Sequence, residues 1–277
     1  MPNPILMRKL HSSLNAAALG GGGGGEVFPG AANLLLKLEA TEFDANADID
    51  PVTQFSDTSG NDNHFRPTSA LYSPWVDQVR TINGHATVRF QSFALYTRKI
   101  ALKGLDGATF TGSPGSGNWT AAEAMVVVKA DADPPAPANM GPPIQFGPVT
   151  LGNVWPFVDG NIYEDWCDST RPNIGNPTTS VTGWNVWNLR AVKAGAASTR
   201  TIILGSEVIV NAATGGTWKD PEPLCYMGVD SDIIGSGNSL GGNVAACYFW
   251  KAILTSAERT AMAAYLTTLF GITTPTS

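Results

Sequence analysis

From Asn33 onward, apolar residues recur at every second position or in short runs closed by Gly, Pro, Asn and Asp. Period two is the spacing of side chains on one face of a strand, so the pattern predicts β-structure. Strand-length segments rich in β-branched and aromatic residues are Leu34–Leu38, Thr87–Gln91, Ala124–Val128, Trp184–Arg190, Thr201–Leu204, Glu207–Val210, Cys225–Val229 and Val244–Trp250. Many short strands separated by turn signals predict a sandwich or jelly roll. One helix is expected, at the end of the chain. Thr255-Ser256-Ala257-Glu258 has the form in which hydroxyl and carboxylate satisfy free backbone N–H groups reciprocally. Met262, Tyr265, Leu266, Leu269 and Phe270 then build one apolar face, and Gly271 permits a left-handed stop. That face is expected to dock on the sheet. The Pro-rich stretch Asp133–Pro143 reads as a loop between strands.

The first 30 residues follow a different pattern. Gly20–Gly25 offers no side chain to pack and reads as a hinge. Before it, Ile5, Leu6, Leu10 and Leu14 recur at helix-like spacing around Arg8 and Lys9. Two readings stand: a frayed terminus, or an extended N-terminal arm that orders on a partner surface. The division is therefore an arm over 1–30 and a domain over 31–277.

Composition narrows the class. Of 277 residues 43% are hydrophobic and 14% charged, which excludes a disordered chain, and no apolar run is long enough for a membrane helix. With 17 basic and 23 acidic residues the formal charge is −6, and the basic residues are scattered. Neither nucleic acid nor membrane is an expected partner. Cys167, Cys225 and Cys247 lie far apart and form neither a zinc motif nor a disulfide framework. The opening segment lacks a sustained apolar run of signal-peptide length, so synthesis in a cytosol without the usual export route is expected.

Several stretches together resemble a known family. FSDTSGNDNHFRPTSALY, then RTINGHATVRFQSFAL, are similar to the opening of laminin-G-like, concanavalin-A-like jelly rolls of bacterial and phage proteins, with their "D-x-SGN" turn and "NG-x-x-x-VRF" strand. GNVAACYFWKAILTSAERTAMAAYLTTLFGI resembles the family's last strand and terminal helix. TGWNVWNLRA and IILGSEVIV stand where relatives carry paired strands, although Gly205-Ser206 replaces their Asn-Gly turn. The resemblance spans about residues 33–273 and implies an all-β, antiparallel jelly-roll sandwich with one C-terminal helix. Function does not follow from it, because this fold carries lectins, glycosidases, adhesion modules and virion proteins alike.

The candidate chemistry is sparse. Glycoside hydrolysis needs two carboxylates at a fixed separation. The resemblance would place them as Glu-x-Asp-x-x-Glu on one strand, and the chain has no such segment. The adjacent pair Glu164-Asp165 would face opposite sides of a strand. The resemblance, in which a similar segment lies next to a sheet edge, implies that Asp165, Asp168 and Arg171 are local hydrogen-bonded or ion-paired structure. Gly237-Asn238-Ser239-Leu240-Gly241 fits a nucleophile-elbow pattern but precedes a strand, and His11, His64 and His85 all come before the serine. It reads as a hairpin loop. His64 reads as a hydrogen-bonded surface residue. Asp44, Asp48 and Asp50 alternate as in a calcium loop, yet Ile49 and Phe55 occupy positions that need Gly and Glu. Turn-forming chemistry is the expected cause, with a weak calcium site as the alternative. No cofactor and no other metal is expected, and Gly20–Gly25 lacks the ending of a phosphate loop. Asn118-Trp119-Thr120 fits a glycosylation acceptor, which matters only in a eukaryotic secretory route. Trp184 and Trp187 are assigned to the core, whereas Trp155, Tyr163 and Trp166 are the candidate carbohydrate-binding surface.

The expected function is that of a non-enzymatic bacteriophage virion structural protein, a head decoration or a tail or fibre appendage. It would present a lectin-like jelly roll for particle stabilisation or attachment to host-surface glycans. Its partners would be other virion proteins, met through the arm, and further copies of itself within the assembly. The alternative is a carbohydrate-binding module of a bacterial surface or exported protein. A glycosidase or polysaccharide lyase is disfavoured by the missing carboxylate pair.

Overall fold

A computed structural model of the chain describes residues 27–67, 73–90, 102–104, 119–133, 141–146, 159–219, 225–228 and 240–274. The arm residues Ile5, Leu6, Leu10 and Leu14, the Gly20–Gly25 run, Asn118, Ser239 and most of the Pro-rich loop lie outside the described residues.

The strands are β1 (Leu34–Glu39), β2 (Phe65–Pro67), β3 (Trp75–Ile82), β4 (His85–Phe90), β5 (Leu102–Gly104), β6 (Ala121–Ala130) and β7 (Ile144–Phe146). They continue with β8 (Ile162–Tyr163), β9 (Asn173–Gly175), β10 (Asn185–Ala194), β11 (Ala197–Leu204), β12 (Glu207–Thr217), β13 (Cys225–Met227) and β14 (Gly242–Trp250). Helix α1 spans Ser256–Phe270. Each segment expected to form a strand contributes to one, so the chain folds as an antiparallel β-sandwich with a C-terminal helix.

The large sheet has eight strands in the order β12-β11-β10-β6-β14-β4-β3, with β1 also paired to β14. One edge of β14 is divided. Gly242–Val244 pairs with β4 and Ala246–Trp250 with β1, while β6 runs along its other side. The second layer is the four-stranded sheet β2-β5-β13-β7 and the β8-β9 ribbon. Between the layers pack Leu36, Leu38, Val88, Val126, Val128, Trp187, Leu189 and Phe249, closed from the far side by Phe65, Ile144, Met227, Ile162 and Ile174. The opposite face of the large sheet carries Met125, Val127, Val186, Tyr248 and Trp250 under Met262, Leu266 and Phe270 of α1. Period two thus sends alternate residues of β6 into two different cores. Trp187 lies in the first core and Trp184 packs against the second, as expected.

Short-range chemistry ties these layers together. The Asp57-Thr58-Ser59-Gly60-Asn61 turn lies along β1. Asp57 Oδ1 accepts from Lys37 N at 2.9 Å and its Oδ2 from Asn63 N at 2.8 Å, while Asn61 Nδ2 donates to Leu34 O at 3.0 Å. His64 Nδ1 accepts from Asp57 N at 3.0 Å, a structural use of that histidine. Asn83 and Gly84 turn β3 into β4 with φ 48° and 82°, the left-handed pair a two-residue hairpin needs. Asn83 Nδ2 also donates to Leu269 O, closing the end of α1.

A buried carboxylate positions the helix. Glu123 of β6 is fully buried and accepts from Leu254 N at 2.9 Å, Asn188 Nδ2 at 3.0 Å and Arg190 at 3.2 Å, with Arg259 of α1 3.7 Å away. The expected capping box is present. Thr255 Oγ1 accepts from Glu258 N at 3.2 Å, and Glu258 Oε2 accepts from Thr255 N at 2.8 Å.

The expected boundary at residue 31 needs correction. Phe28 stacks on Tyr248 and Trp250, meets Tyr265 edge-on, and lies 4.7 Å under Lys37 Nζ. Trp250 Nε1 donates to Pro29 O at 3.0 Å. Phe28 and Pro29 therefore belong to the folded unit, because an aromatic slot at the seam of β14 and α1 is there to receive them.

Replacing Thr255 by alanine leaves the N–H of Glu258 without its acceptor. The Thr255→Ala protein should lose about 0.5–2 kcal/mol of stability, read from urea midpoints against the parent. An unchanged midpoint would show that Glu123, and not the cap, sets the helix start.

Candidate functional site

The segment 159–175 carries Tyr163 and Trp166. Its strand-like alternation places Ile162, Glu164 and Trp166 inward and leaves Tyr163 and Asp165 half-exposed. Glu164 and Asp165 do face opposite sides, as expected of neighbours on a strand. Trp166 does not contribute to a surface. It is 3% exposed and its ring meets the face of Phe249 edge-on at 5.7 Å, inside the sandwich core. Trp155 lies outside the described residues.

Buried polar groups hold the segment on the β11–β12 end of the large sheet. Arg200 of β11 points inward, where its Nη1 donates to Glu164 O at 2.9 Å and its Nη2 lies 3.8 Å from Asp168 Oδ2. Asp168 Oδ1 accepts from Thr170 N and Oγ1 at 2.9 and 3.0 Å. Asp168 also bridges to Trp218, and Ser169 N donates to Thr217 O. A Cβ on Gly216 would stand 1.8 Å from Asp168 Oδ1, so only glycine lets β12 pass this carboxylate. Burial pushes the Glu164 carboxyl up to about 8, assisted by the neighbouring Asp165 charge and opposed by Arg200. At neutral pH this side chain is chiefly protonated.

The exposed side of the segment is differently built. Tyr163 OH donates to Asp159 Oδ2 at 2.5 Å, and the Arg171 guanidinium lies 5.4 Å from the Tyr163 ring centre. The hydrogen bond holds Asp159 below the usual carboxylate range and raises the Tyr163 hydroxyl. Asp159 also accepts from Asn161 N, and Asn173 Oδ1 from Gly175 N. The result is a half-exposed aromatic ring whose hydroxyl is held by a carboxylate and one of whose faces lies under a guanidinium. Asp159 and Arg171 were not assigned to a binding surface from sequence, although their spacing around Tyr163 was visible there.

The remaining candidates serve the fold. Asp44 accepts from Ala86 N and pairs with His85 Nδ1 at 2.7 Å, Asp48 accepts from Gln78 N, and Asp50 from Ala47 N. Asp44 and Asp48 tie this turn to β4 and β3, and Asp50 closes it on itself. Among the described residues no group of three or more His, Cys, Asp or Glu side chains could hold a metal ion.

No family model and no curated protein matches the sequence. Solved structures do share the fold. Botulinum neurotoxin type C, which interacts with two ganglioside molecules, superposes with a TM-score of 0.56 at 9% identity over 86% of this chain and 52% of that chain. The binding domain of botulinum neurotoxin DC in complex with SialylT gives 0.55 at 9% identity over 85% and 52%. The same domain in complex with rat synaptotagmin II gives 0.51 at 9% identity over 82% and 50%. The chain spans about half the length of these structures, and the likeness is one of fold.

Glu164 binds a proton more tightly in the folded chain than in the unfolded one. Its contribution to stability is therefore complete below the ordinary glutamate range and is lost as pH rises toward 8. From about pH 5 to pH 8 the parent should lose stability relative to Glu164→Gln, with a slope of at most about 1.4 kcal/mol per pH unit. Urea midpoints for both proteins at pH 5, 6.5 and 8 check this. Parallel pH dependence would refute it.

Proposed function

We propose that the chain is a non-catalytic recognition module that binds glycans on the exposed side of residues 159–175. The observation that carries this reading is the fixed Tyr163 ring. Its hydroxyl is held by Asp159 and the Arg171 guanidinium lies over one of its faces, so the half-exposed ring has its conformation set before any ligand arrives, with a carboxylate and a guanidinium beside it. Glycan recognition by proteins of like fold, named for gangliosides and SialylT, supports the ligand class. The sequence resemblance to laminin-G-like, concanavalin-A-like jelly rolls points the same way.

The non-catalytic part rests on how the carboxylates are used. Asp57, Asp77, Glu123 and Asp168 each accept bonds from backbone amides or neighbouring side chains that hold loops and strands together. Glu164 lies inside the sandwich under Arg200. The proposed setting is a virion or a bacterial cell surface, with the residues before Val27 as the mount. Its support is the Gly20–Gly25 hinge and the apolar spacing of Ile5, Leu6, Leu10 and Leu14.

A glycan array with sialylated and neutral oligosaccharides tests the reading. The full chain should bind, and Tyr163→Ala and Arg171→Ala should each weaken binding about tenfold, or about 1.4 kcal/mol, at an unchanged melting temperature. No binding to any glycan, or binding indifferent to both substitutions, would overturn it. Sugar release from a polysaccharide panel would overturn the non-catalytic part.

A further inference from the structure

The β8–β9 ribbon that carries Tyr163 shares no ladder with either larger sheet among the described residues. It is seated by the residues that follow Tyr163. Asp168 forms an isolated bridge with Trp218, Ser169 N donates to Thr217 O, and Lys219 N donates to Cys167 O at 3.2 Å. Arg200 of β11 completes the seat, with Nη1 on Glu164 O and Nη2 turned toward Asp168 Oδ2. Contacts of this kind can open without breaking the strand pairing of either larger sheet, so the seat can respond on its own.

Three ionisable side chains meet there away from water, since Glu164, Asp168 and Arg200 are 2%, 1% and 2% exposed. Two carboxyl groups thus stand at one guanidinium. The pair with Asp168 is not closed: Nη2 lies 3.8 Å from Oδ2, beyond hydrogen-bond reach, and neither Asp168 Oδ2 nor Arg200 Nε makes a hydrogen bond among the described residues. The charged groups about Glu164 are Arg200 from β11 and Asp165 and Asp168 from its own segment. The β7 side chain that reaches the segment, Gln145, is neutral and donates to Asp165 at 3.4 Å. While Glu164 carries its proton, the buried charges of Asp168 and Arg200 balance one to one. Loss of that proton leaves a negative charge without a counter-charge in the interior, and admitting water relieves it.

We propose that Glu164, Asp168 and Arg200 form a proton-operated latch, which fastens residues 164–169 to the β11–β12 end of the large sheet while Glu164 is protonated and releases them when the proton leaves. In the closed latch burial holds the Glu164 carboxyl up to about 8, and with water admitted it returns to the ordinary glutamate range. The closed form therefore binds the proton more tightly. Opening becomes easier as pH rises from about 5 to about 8, by at most about tenfold per pH unit, and levels off above that. Tyr163 directly precedes Glu164, so the latch also governs how firmly its ring is held, whatever that ring contacts.

Amide hydrogen exchange of the full chain between pH 5 and pH 9, each rate referred to its unstructured value at the same pH, reads the latch directly. At pH 8 the amides of Asp168, Ser169 and Lys219 should be less protected than those of β14, having lost up to about tenfold per pH unit on the way from pH 5. Glu164→Gln has no proton to lose there and should show no such fall. In Asp168→Asn the guanidinium serves Glu164 alone, so the fall should level off at a lower pH than in the parent. A flat profile in the parent, a fall that Glu164→Gln shares, or seat amides that exchange only together with those of β14 at pH 8 would overturn the proposal. An Asp168→Asn profile that levels off where the parent's does would overturn the sharing of Arg200.

Discussion

The fold depends on one strand being buried on both faces and paired on both edges. All nine residues of β14 are buried, with the sandwich core on one side and α1 on the other. Such a strand cannot carry an unpartnered polar group at low cost. Its one amide side chain, Asn243, donates to Asp77 and Thr87 and accepts from Arg89, which in turn holds Asp131. The register break between Val244 and Ala246 also has a use. It sets Ala245 and Ala246 both toward the helix side, where their small side chains join Met262 and Leu266 in one core. The strands on either side inherit their places from β14, since β1 and β4 share its edge.

Where β14 organises the sheet by apolar burial, Glu123 organises the helix by charge. A fully buried carboxylate is costly alone and becomes tolerable only with several donors. Here the donors come from β10 and from the turn before α1, and α1 itself adds the nearby charge of Arg259. The arrangement fixes where α1 starts more than it adds stability, because an apolar group could fill the same space without needing any of them. Glu39 plays a smaller part nearby, accepting from Tyr248 and Tyr265 hydroxyls at 2.8 and 2.6 Å and so joining β1, β14 and α1.

What the sequence reveals divides by range. The strands, the Asn83-Gly84 turn and the Thr255–Glu258 cap were legible because each is written in a few neighbouring residues. Side-chain direction was not. Residues 162–166 alternate clearly, yet nothing local says which set faces the core, so Trp166 read as surface although it packs on Phe249, distant in sequence. Phe28 was placed with the arm because a glycine run precedes it, and its aromatic slot comes from β14 and α1, more than 200 residues away. Buried charges such as Glu123 and Arg200 were equally hidden, since one Glu in a β-rich run looks like an exposed strand position until its donors arrive from elsewhere.

The candidate surface is seated on the β11–β12 end of the large sheet for a physical reason. Arg200, Asp168 and Gly216 bring the 159–175 segment into contact with β11 and β12, and no bulkier residue at 216 would allow it. The buried ion pair that seats the segment thereby sets where Tyr163 stands relative to the large sheet.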